Sequence, residues 1–377
     1  MKLLYLTTWD FSNEESDGVC KKIYSHINVF EENGYQVDFI YLKDNQILYQ
    51  KDGIIDAIGT VGSIKKTVAY IKLYKYIKNK QYDYVYNRYG MMDSFYYRVL
   101  KCLKKNGAKI LVEIPTYPYK GEKNPGLLYT LMFKWDELYM RKIRQIVDRI
   151  ITYSLDTEIF AIPTINIMNG VDIEKIPMTA LRKKKEDTIN LLIVALMQPY
   201  HGYERLLYGL KEYYNTGGVR NIICHFVGDG PEKKYYKNIV SEYKLENNVV
   251  FYGKKGGAEL DRIYDMIDIG VCSLGCYKKQ IFLSSELKSR EYLARGIPFI
   301  AGVVLDIKEI LEEEMLLEFP NDESVLDIEK IIKFSDSLRE IDREKISGKM
   351  RKLAKDYISI QATMKPVIDY MKKSKQK

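Results

Sequence analysis

The segment running from Ser284-Ser285-Glu286-Leu287-Lys288 through Ser289-Arg290-Glu291-Tyr292-Leu293-Ala294-Arg295 to Gly296-Ile297-Pro298-Phe299-Ile300 holds the residues best suited to chemistry. A polar loop runs into a helical stretch there. The free N–H groups and dipole of a helix amino terminus suit a diphosphate, and Ser284, Ser285 and Leu287 would border it. Lys288 and Glu291 stand three apart and share a helix face. A cation for phosphate beside a carboxylate for ribose hydroxyls is a sensible pairing for a nucleotide, although an ordinary surface ion pair uses the same spacing.

A second unusual segment is Glu113-Ile114-Pro115-Thr116-Tyr117-Pro118-Tyr119. A carboxylate that closes a strand can orient an acceptor hydroxyl or act as a base, and two prolines equally describe a stiff structural loop. Arg88 also follows a strand and would pair with Glu113 or contact phosphate. Among the three histidines, His201 opens a helix and is a candidate phosphate contact. His26 is expected on the surface of the first helix, and His225 within an apolar core strand.

Several signatures are missing. The chain has no G-x-G-x-x-G after its first strand, no Walker A loop, no H-E-x-x-H and no G-x-S-x-G, so a redox enzyme, a P-loop kinase and a serine hydrolase lose ground. Gly228-Asp229-Gly230 lacks a third glycine and reads as a tight strand-to-helix turn. Cys272 and Cys276 have no histidine nearby and read as core residues rather than zinc ligands. No acidic cluster speaks for a metal.

The elements that must position these residues alternate. Leu3–Leu6, Val37–Ile40, Tyr84–Tyr86, Ile110–Glu113 and Ile150–Tyr153 are short apolar strands separated by helix-length stretches, the first helix running from about Val19 to Asn33. After the charged stretch Arg182–Asp187 the pattern restarts with strands at Leu191–Ala195, Ile222–Val227, Val249–Tyr252, Ile269–Cys272 and Pro298–Ile300. Helices are predicted at Tyr203–Tyr214, Glu259–Met266 and Glu286–Arg295. The tail Ser347–Met371 is helical with a break at Pro366. This is an α/β chain of two Rossmann-like domains facing a cleft, one ligand on each side of it. The boundaries are 1–173 for a first domain, 174–187 for a linker and 188–345 for a second domain. Helices 346–377 are expected to pack back on the first domain.

A chain of 377 residues suits two domains, and 46% hydrophobic with 29% charged residues is ordinary for a globular protein. The start, MKLLYLTTWD, reaches Asp10 too soon for a signal peptide, and no apolar run approaches a membrane span, which predicts a cytoplasmic location. The formal charge is +8, and no acid interrupts Asp56 to Asp83 while lysines from Lys65 to Lys80 alternate with Tyr70, Tyr74 and Tyr76. That stretch reads as a solvated helix face or a surface for anionic lipid. A nucleic-acid partner is not expected, since no RNA-binding signature accompanies it.

Taken in order, the motifs resemble the family 4 glycosyltransferases and related GT-B enzymes that assemble bacterial surface polysaccharides. The pattern Glu291-Tyr292-Leu293-Ala294-Arg295-Gly296-Ile297-Pro298 is similar to one in their carboxyl-terminal domain whose Glu binds the donor ribose. Asn169-Gly170-Val171-Asp172, His201-Gly202-Tyr203, Gly228-Asp229-Gly230-Pro231 and Val249-Val250-Phe251-Tyr252-Gly253 each resemble a family motif, and Gly18-Val19 looks like the glycine loop facing the donor. The resemblance implies a retaining sugar transfer from a nucleotide-sugar donor to a hydroxyl of an oligosaccharide or lipid-linked acceptor, with no cofactor and no metal. The enzyme would be cytoplasmic or peripheral on the inner membrane face. The sequence departs from the family pattern at Leu283, where many members carry a second Glu, and at Leu196 and His201, where Arg and Lys are common. Lys278, Lys279 or Lys288 is left to supply the positive charge. The same fold is also used by nucleotide-sugar epimerases, and Leu283 would suit a non-catalytic subunit that binds nucleotide or lipid.

Overall fold

The computed structural model describes residues 1–13, 18–61, 65–90, 93–117, 127–180 and 187–374. It divides into two compact units, Met1–Met168 with Thr363–Lys377 and Asn169–Ala362. The linker stretch 182–186 and Pro118-Tyr119 lie outside the described residues.

The first unit is built on one sheet. Its strands are β1 (Lys2–Asp10), β2 (Gln36–Lys43), β3 (Gln46–Lys51), β4 (Ile54–Thr60), β5 (Tyr84–Arg88), β6 (Lys109–Ile114), β7 (Arg149–Thr152), β8 (Glu158–Ile159) and β9 (Ile162–Asn166). Their spatial order is β4-β3-β2-β1-β5-β6-β7-β9-β8. Leu3, Leu4, Tyr5 and Leu6 are wholly buried because helices cover both faces of the parallel centre. Those helices are α1 (Gly18–Glu32), α2 (Lys65–Ile77), α3 (Ser94–Lys105) and α4 (Leu127–Ile143). In α1, Cys20, Ile23, Ile27 and Phe30 recur at helical spacing and are buried. The alternation pattern did not include the antiparallel strands β3, β4 and β8. Their two-residue connections are Asp44-Asn45, Asp52-Gly53 and Phe160-Ala161, all at positive φ, as tight hairpins require.

Among the described residues the second unit has eight strands: β10 (Thr188–Leu196), β11 (Asn221–Asp229), β12 (Val249–Gly253), β13 (Ile269–Val271), β14 (Leu283–Ser284), β15 (Phe299–Ala301), β16 (Val304–Leu305) and β17 (Leu316–Glu318). Six of them form one sheet in the order β12-β11-β10-β13-β15-β17, every pairing parallel. Counted within the unit this is 3-2-1-4-5-6, the doubly wound dinucleotide-binding order, in which the chain reverses direction between the first and fourth strands. At the reversal β10 lies between β11 and β13, with Leu192 beside His225 on one side and Gly270 on the other. Strands β14 and β16 pair separately. Gly228 at φ 124 brings the end of β11 so close to β10 that a Cβ there would stand 1.9 Å from the Ala195 carbonyl oxygen. The turn predicted at Gly228-Asp229-Gly230 is therefore a backbone-to-backbone contact.

Helices α5 (Glu204–Asn215), α6 (Lys233–Glu242), α7 (Gly257–Tyr264), α8 (Leu287–Arg295), α9 (Ile328–Glu340) and α10 (Arg343–Leu353) complete this unit. A π-helical turn at Ala354–Ile358 then leads into α11 (Ile360–Lys373). Residues 346–362 thus stay with the second unit and 363–374 count with the first. There Tyr84 donates to the Met371 carbonyl at 2.6 Å and Lys372 reaches Asn33 at 2.9 Å. Pro366 does not break α11 as expected but lies inside it. Met364, Val367, Ile368 and Met371 are buried on both sides of the proline, and that packing offsets the lost hydrogen bond.

Candidate functional site

In a doubly wound sheet the ligand crevice opens beyond the carboxyl ends of the strands at the reversal. Two segments leave the second unit's sheet at that point. One is the turn Gln198–Tyr203 after β10, and the other runs from Ser273 to Phe282 after β13. They touch through two glycines: a Cβ on Gly202 would come within 2.5 Å of the Gly275 Cα and N. Gly202 also has φ 65, so both its backbone angle and its neighbour require a residue without a side chain. The Leu274 N–H donates to the His201 carbonyl at 2.7 Å and seals the junction.

Helix α8 points its amino terminus at this junction. The carboxylate of Glu286, the residue preceding the helix, accepts from the Ser273 N–H at 3.2 Å and from its hydroxyl at 2.7 Å. Lys288 donates to the Tyr203 hydroxyl at 2.8 Å and to Ser273 Oγ at 3.1 Å, and its Nζ lies 3.4 Å from Glu286 Oε2. Lysine, helix start, serine and tyrosine therefore converge where a phosphate group would be received. Sequence reasoning identified Lys288 but not Tyr203 and Ser273, which are eighty-five and fifteen residues away from it.

Arg290 anchors the start of α8 and is wholly buried. Its guanidinium donates to the Asn169 carbonyl at 3.2 Å and to Ser285 Oγ at 3.0 Å, and it forms an ion pair with Asp306. Asn169 in turn donates to the Ser285 carbonyl at 2.9 Å. The Asn169-Gly170-Val171-Asp172 motif thus fixes the loop before α8 rather than only preceding a linker. Ser284 belongs to the short β14 pairing, and Leu287 is exposed on the first turn of α8.

His201 is buried and accepts the Gln198 N–H on Nδ1 at 3.2 Å, which leaves its proton on Nε2. Burial and the neighbouring charges of Lys288 and Lys279 lower its pKa to about 3, so it is a neutral N–H donor and not a cation. Lys278 is tied to the same turn through the Pro199 carbonyl at 3.1 Å and an ion pair with Glu204. Glu291 lies one turn further along α8 and pairs with Arg295 at 3.2 Å, while Arg295 also holds Asp261 at 2.7 Å.

In the first unit, Gly18 and Val19 open α1. Glu113 stands near the carboxyl end of β6 as expected, but it is fully buried. Arg88 forms an ion pair with it, Tyr153 donates to its Oε1 at 3.0 Å, and His26 Nδ1 lies 3.8 Å from Oε2. Burial opposes its charge, yet Arg88, His26 and Lys22 together hold its pKa down at about 2. An enclosed and already paired carboxylate is placed to organise the strand ends rather than to take a proton from an incoming hydroxyl. His26, expected on the surface, is buried too, and that burial lowers its pKa to about 3. It occupies the inward face of α1 with Ile23, Ile27 and Phe30, a position the single histidine did not advertise.

Residues 178–348 match the family model described as "Glycosyl transferases group 1". No curated protein sequence matches the chain. Among solved structures, sucrose-phosphate synthase from Thermosynechococcus elongatus superimposes with a TM-score of 0.65 at 15% identity, covering 99% of this chain and 100% of that one. A glycosyltransferase from Rickettsia africae gives the same score and identity over 99% and 97%. Anabaena HepE in complex with UDP gives 0.63 at 12% over 99% and 100%. The fold is GT-B, and with the group 1 match in its second unit the chain is a glycosyltransferase.

Proposed function

We propose that the chain transfers a sugar from a nucleotide-sugar donor to the hydroxyl of an oligosaccharide or lipid-linked acceptor, with retention of configuration, in the assembly of a surface polysaccharide. One observation carries the donor site: Lys288, from the first turn of α8, reaches Tyr203 and Ser273, with the His201 ring 5.5 Å from that of Tyr203, at the strand reversal of a 3-2-1-4-5-6 sheet. There they stabilise the departing diphosphate, the main electrostatic task of the reaction. Ser284, Ser285, Leu287, Gly202 and Lys278 border that group in this reading, and Glu291, one turn deeper, receives the ribose hydroxyls. The bond from the anomeric carbon to the diphosphate breaks, the acceptor oxygen bonds to that carbon, and the acceptor proton passes to the leaving diphosphate. In the first unit, Glu113 acts through Arg88 as a positioning residue. Positive charge comes from side chains and helix N–H groups, with no metal and no cofactor. The enzyme works in the cytoplasm against the inner membrane face, where the basic stretch from Lys65 to Lys80 meets anionic lipid.

The test is thermal stability against a panel of nucleoside diphosphates and nucleotide sugars, with and without EDTA. Uridine compounds come first, since Anabaena HepE is described in complex with UDP. A ligand of the native state raises Tm by mass action. The expected result is a rise with one nucleotide class that EDTA leaves intact and Glu291→Ala removes. A rise that survives Glu291→Ala unchanged sinks the ribose assignment. Turnover of the donor without acceptor would point to an epimerase, and no rise with any member would leave only the fold.

A further inference from the structure

Helices α2 and α3 lie side by side on the first unit and enclose a groove of about 460 Å³, within the range of small-molecule sites. Its wall carries four cations, Lys75 from α2 and Arg98, Lys101 and Lys105 from α3, and no carboxylate is among the described residues that line it. Ile71, Tyr74 and Phe95 give it an apolar side. The two helices are built for this division. The inward face of α3 is Tyr96, Val99, Leu100 and Leu103, all buried, while Arg98, Lys101 and Lys105 repeat at i, i+3 and i+7 on the outer face. On α2, Leu73 and Ile77 are buried, whereas Ile71 is 36% and Tyr74 41% exposed. Large apolar side chains left in water beside unopposed cations need a ligand that is anionic at one end and apolar at the other.

We propose that this groove docks an anionic phospholipid, its headgroup phosphate among Lys75, Arg98, Lys101 and Lys105 and the start of an acyl chain against Ile71 and Phe95. Lipid is favoured over nucleic acid because the exposed Ile71, beside Tyr74 and Phe95, offers no ring on which a base could stack, whereas an acyl chain covers it. The membrane contact expected of the Lys65–Lys80 stretch is thereby given a site that spans two helices, most of its charge coming from α3. It uses first-unit residues only and does not depend on sugar transfer.

The experiment is co-sedimentation of the full chain with phosphatidylcholine vesicles that contain or lack phosphatidylglycerol. Each cation near an anionic surface contributes about fivefold in affinity, so replacing Lys75, Lys101 and Lys105 together by Ala should weaken binding by about 100-fold. Replacing the same three by Arg should preserve it. Cys102 supplies a local readout, because it lines the groove and the other four cysteines are buried. Phosphatidylglycerol vesicles should slow its maleimide labelling, and glycerol phosphate alone should not. The proposal is overturned if the chain does not discriminate the two vesicles, if the Ala variant binds like wild type, or if single-stranded RNA displaces the vesicles and protects Cys102 instead. Nucleotide-induced stabilisation, measured on the same variants, should be unchanged. Its absence in wild type would count against the donor site while leaving the vesicle result standing.

Discussion

Lys288→Met is the most direct trial of the donor site. The wild-type Nζ is held at 2.8 Å from the Tyr203 hydroxyl and 3.1 Å from Ser273 Oγ, so it is aimed before any ligand arrives. A hydrogen bond from an ammonium to phosphate is worth about 1.5–3 kcal/mol, which is roughly a 10- to 150-fold weakening of nucleoside diphosphate binding. The fold should tolerate the change. Glu286 keeps its bonds from Ser273 at 3.2 and 2.7 Å and stays beside the positive end of α8, so the stability loss should be about 1 kcal/mol. Methionine retains most of the apolar stem. The assay is titration calorimetry with the diphosphate that stabilises wild type most, set against the matching unphosphorylated nucleoside. The diphosphate should lose affinity and the nucleoside should not. Equal losses for both, or a diphosphate Kd within about twofold of wild type, would refute the assignment, because either result removes the phosphate from Lys288.

Glu286→Gln should tighten diphosphate binding by about fivefold, the equivalent of about 1 kcal/mol of like-charge repulsion at a partly exposed position; weaker binding by calorimetry would mean that the carboxylate is needed to aim Lys288. Gly202→Ala meets the Gly275 backbone at 2.5 Å and must hold φ 65, so about 1–2 kcal/mol for the left-handed conformation and 1–3 for overpacking give about 2–5 kcal/mol in all. A Tm within a degree of wild type would refute that close approach. Acid should destabilise the chain before its carboxylates titrate, because burial lowers His26 and His201 to about 3 and His225 to about 4 from an ordinary 6.5. Between those values the unfolded chain binds the extra protons, so stability falls as pH drops below 6.5, by up to about 1.4 kcal/mol per pH unit for each histidine. His225→Asn should flatten the decline of Tm between pH 6.5 and 5, and an unchanged slope would show that His225 does not contribute.

Much of the parallel framework was legible because a strand covered on both faces is written as an unbroken apolar run. Leu3–Leu6, Ile110–Val112 and Leu191–Ile193 are such runs, and all are buried. The antiparallel β3 and β4 were not read, although Asp52-Gly53 is a known hairpin dipeptide, because β4 is mostly exposed and its residues Ile54 and Ile55 show no core face. Pro366 misled for a different reason. A proline states a local cost, and the burial of Met364 and Val367 that offsets it is a tertiary fact with no local mark.

The site was legible only where its residues are neighbours in sequence. Lys288 and the start of α8 form one continuous segment, so their pairing could be read directly. Tyr203, Ser273 and Asn169 arrive from three other segments, and only the strand order brings them together. Arg290 shows how this hides function. Within the helix it reads as one more charged residue, yet it is wholly buried, and its bonds to Asn169, Ser285 and Asp306 fix the helix end that Lys288 depends on. Glu113 shows the converse. Its place at a strand end was read correctly, but burial decides what a carboxylate can do, and burial is set by α1 and the residue after β7, which bring His26 and Tyr153 onto it. A strand-end acid becomes a base only where one oxygen is left to a ligand. At Glu113 the fold closes over both, and what remains for it is to hold Arg88.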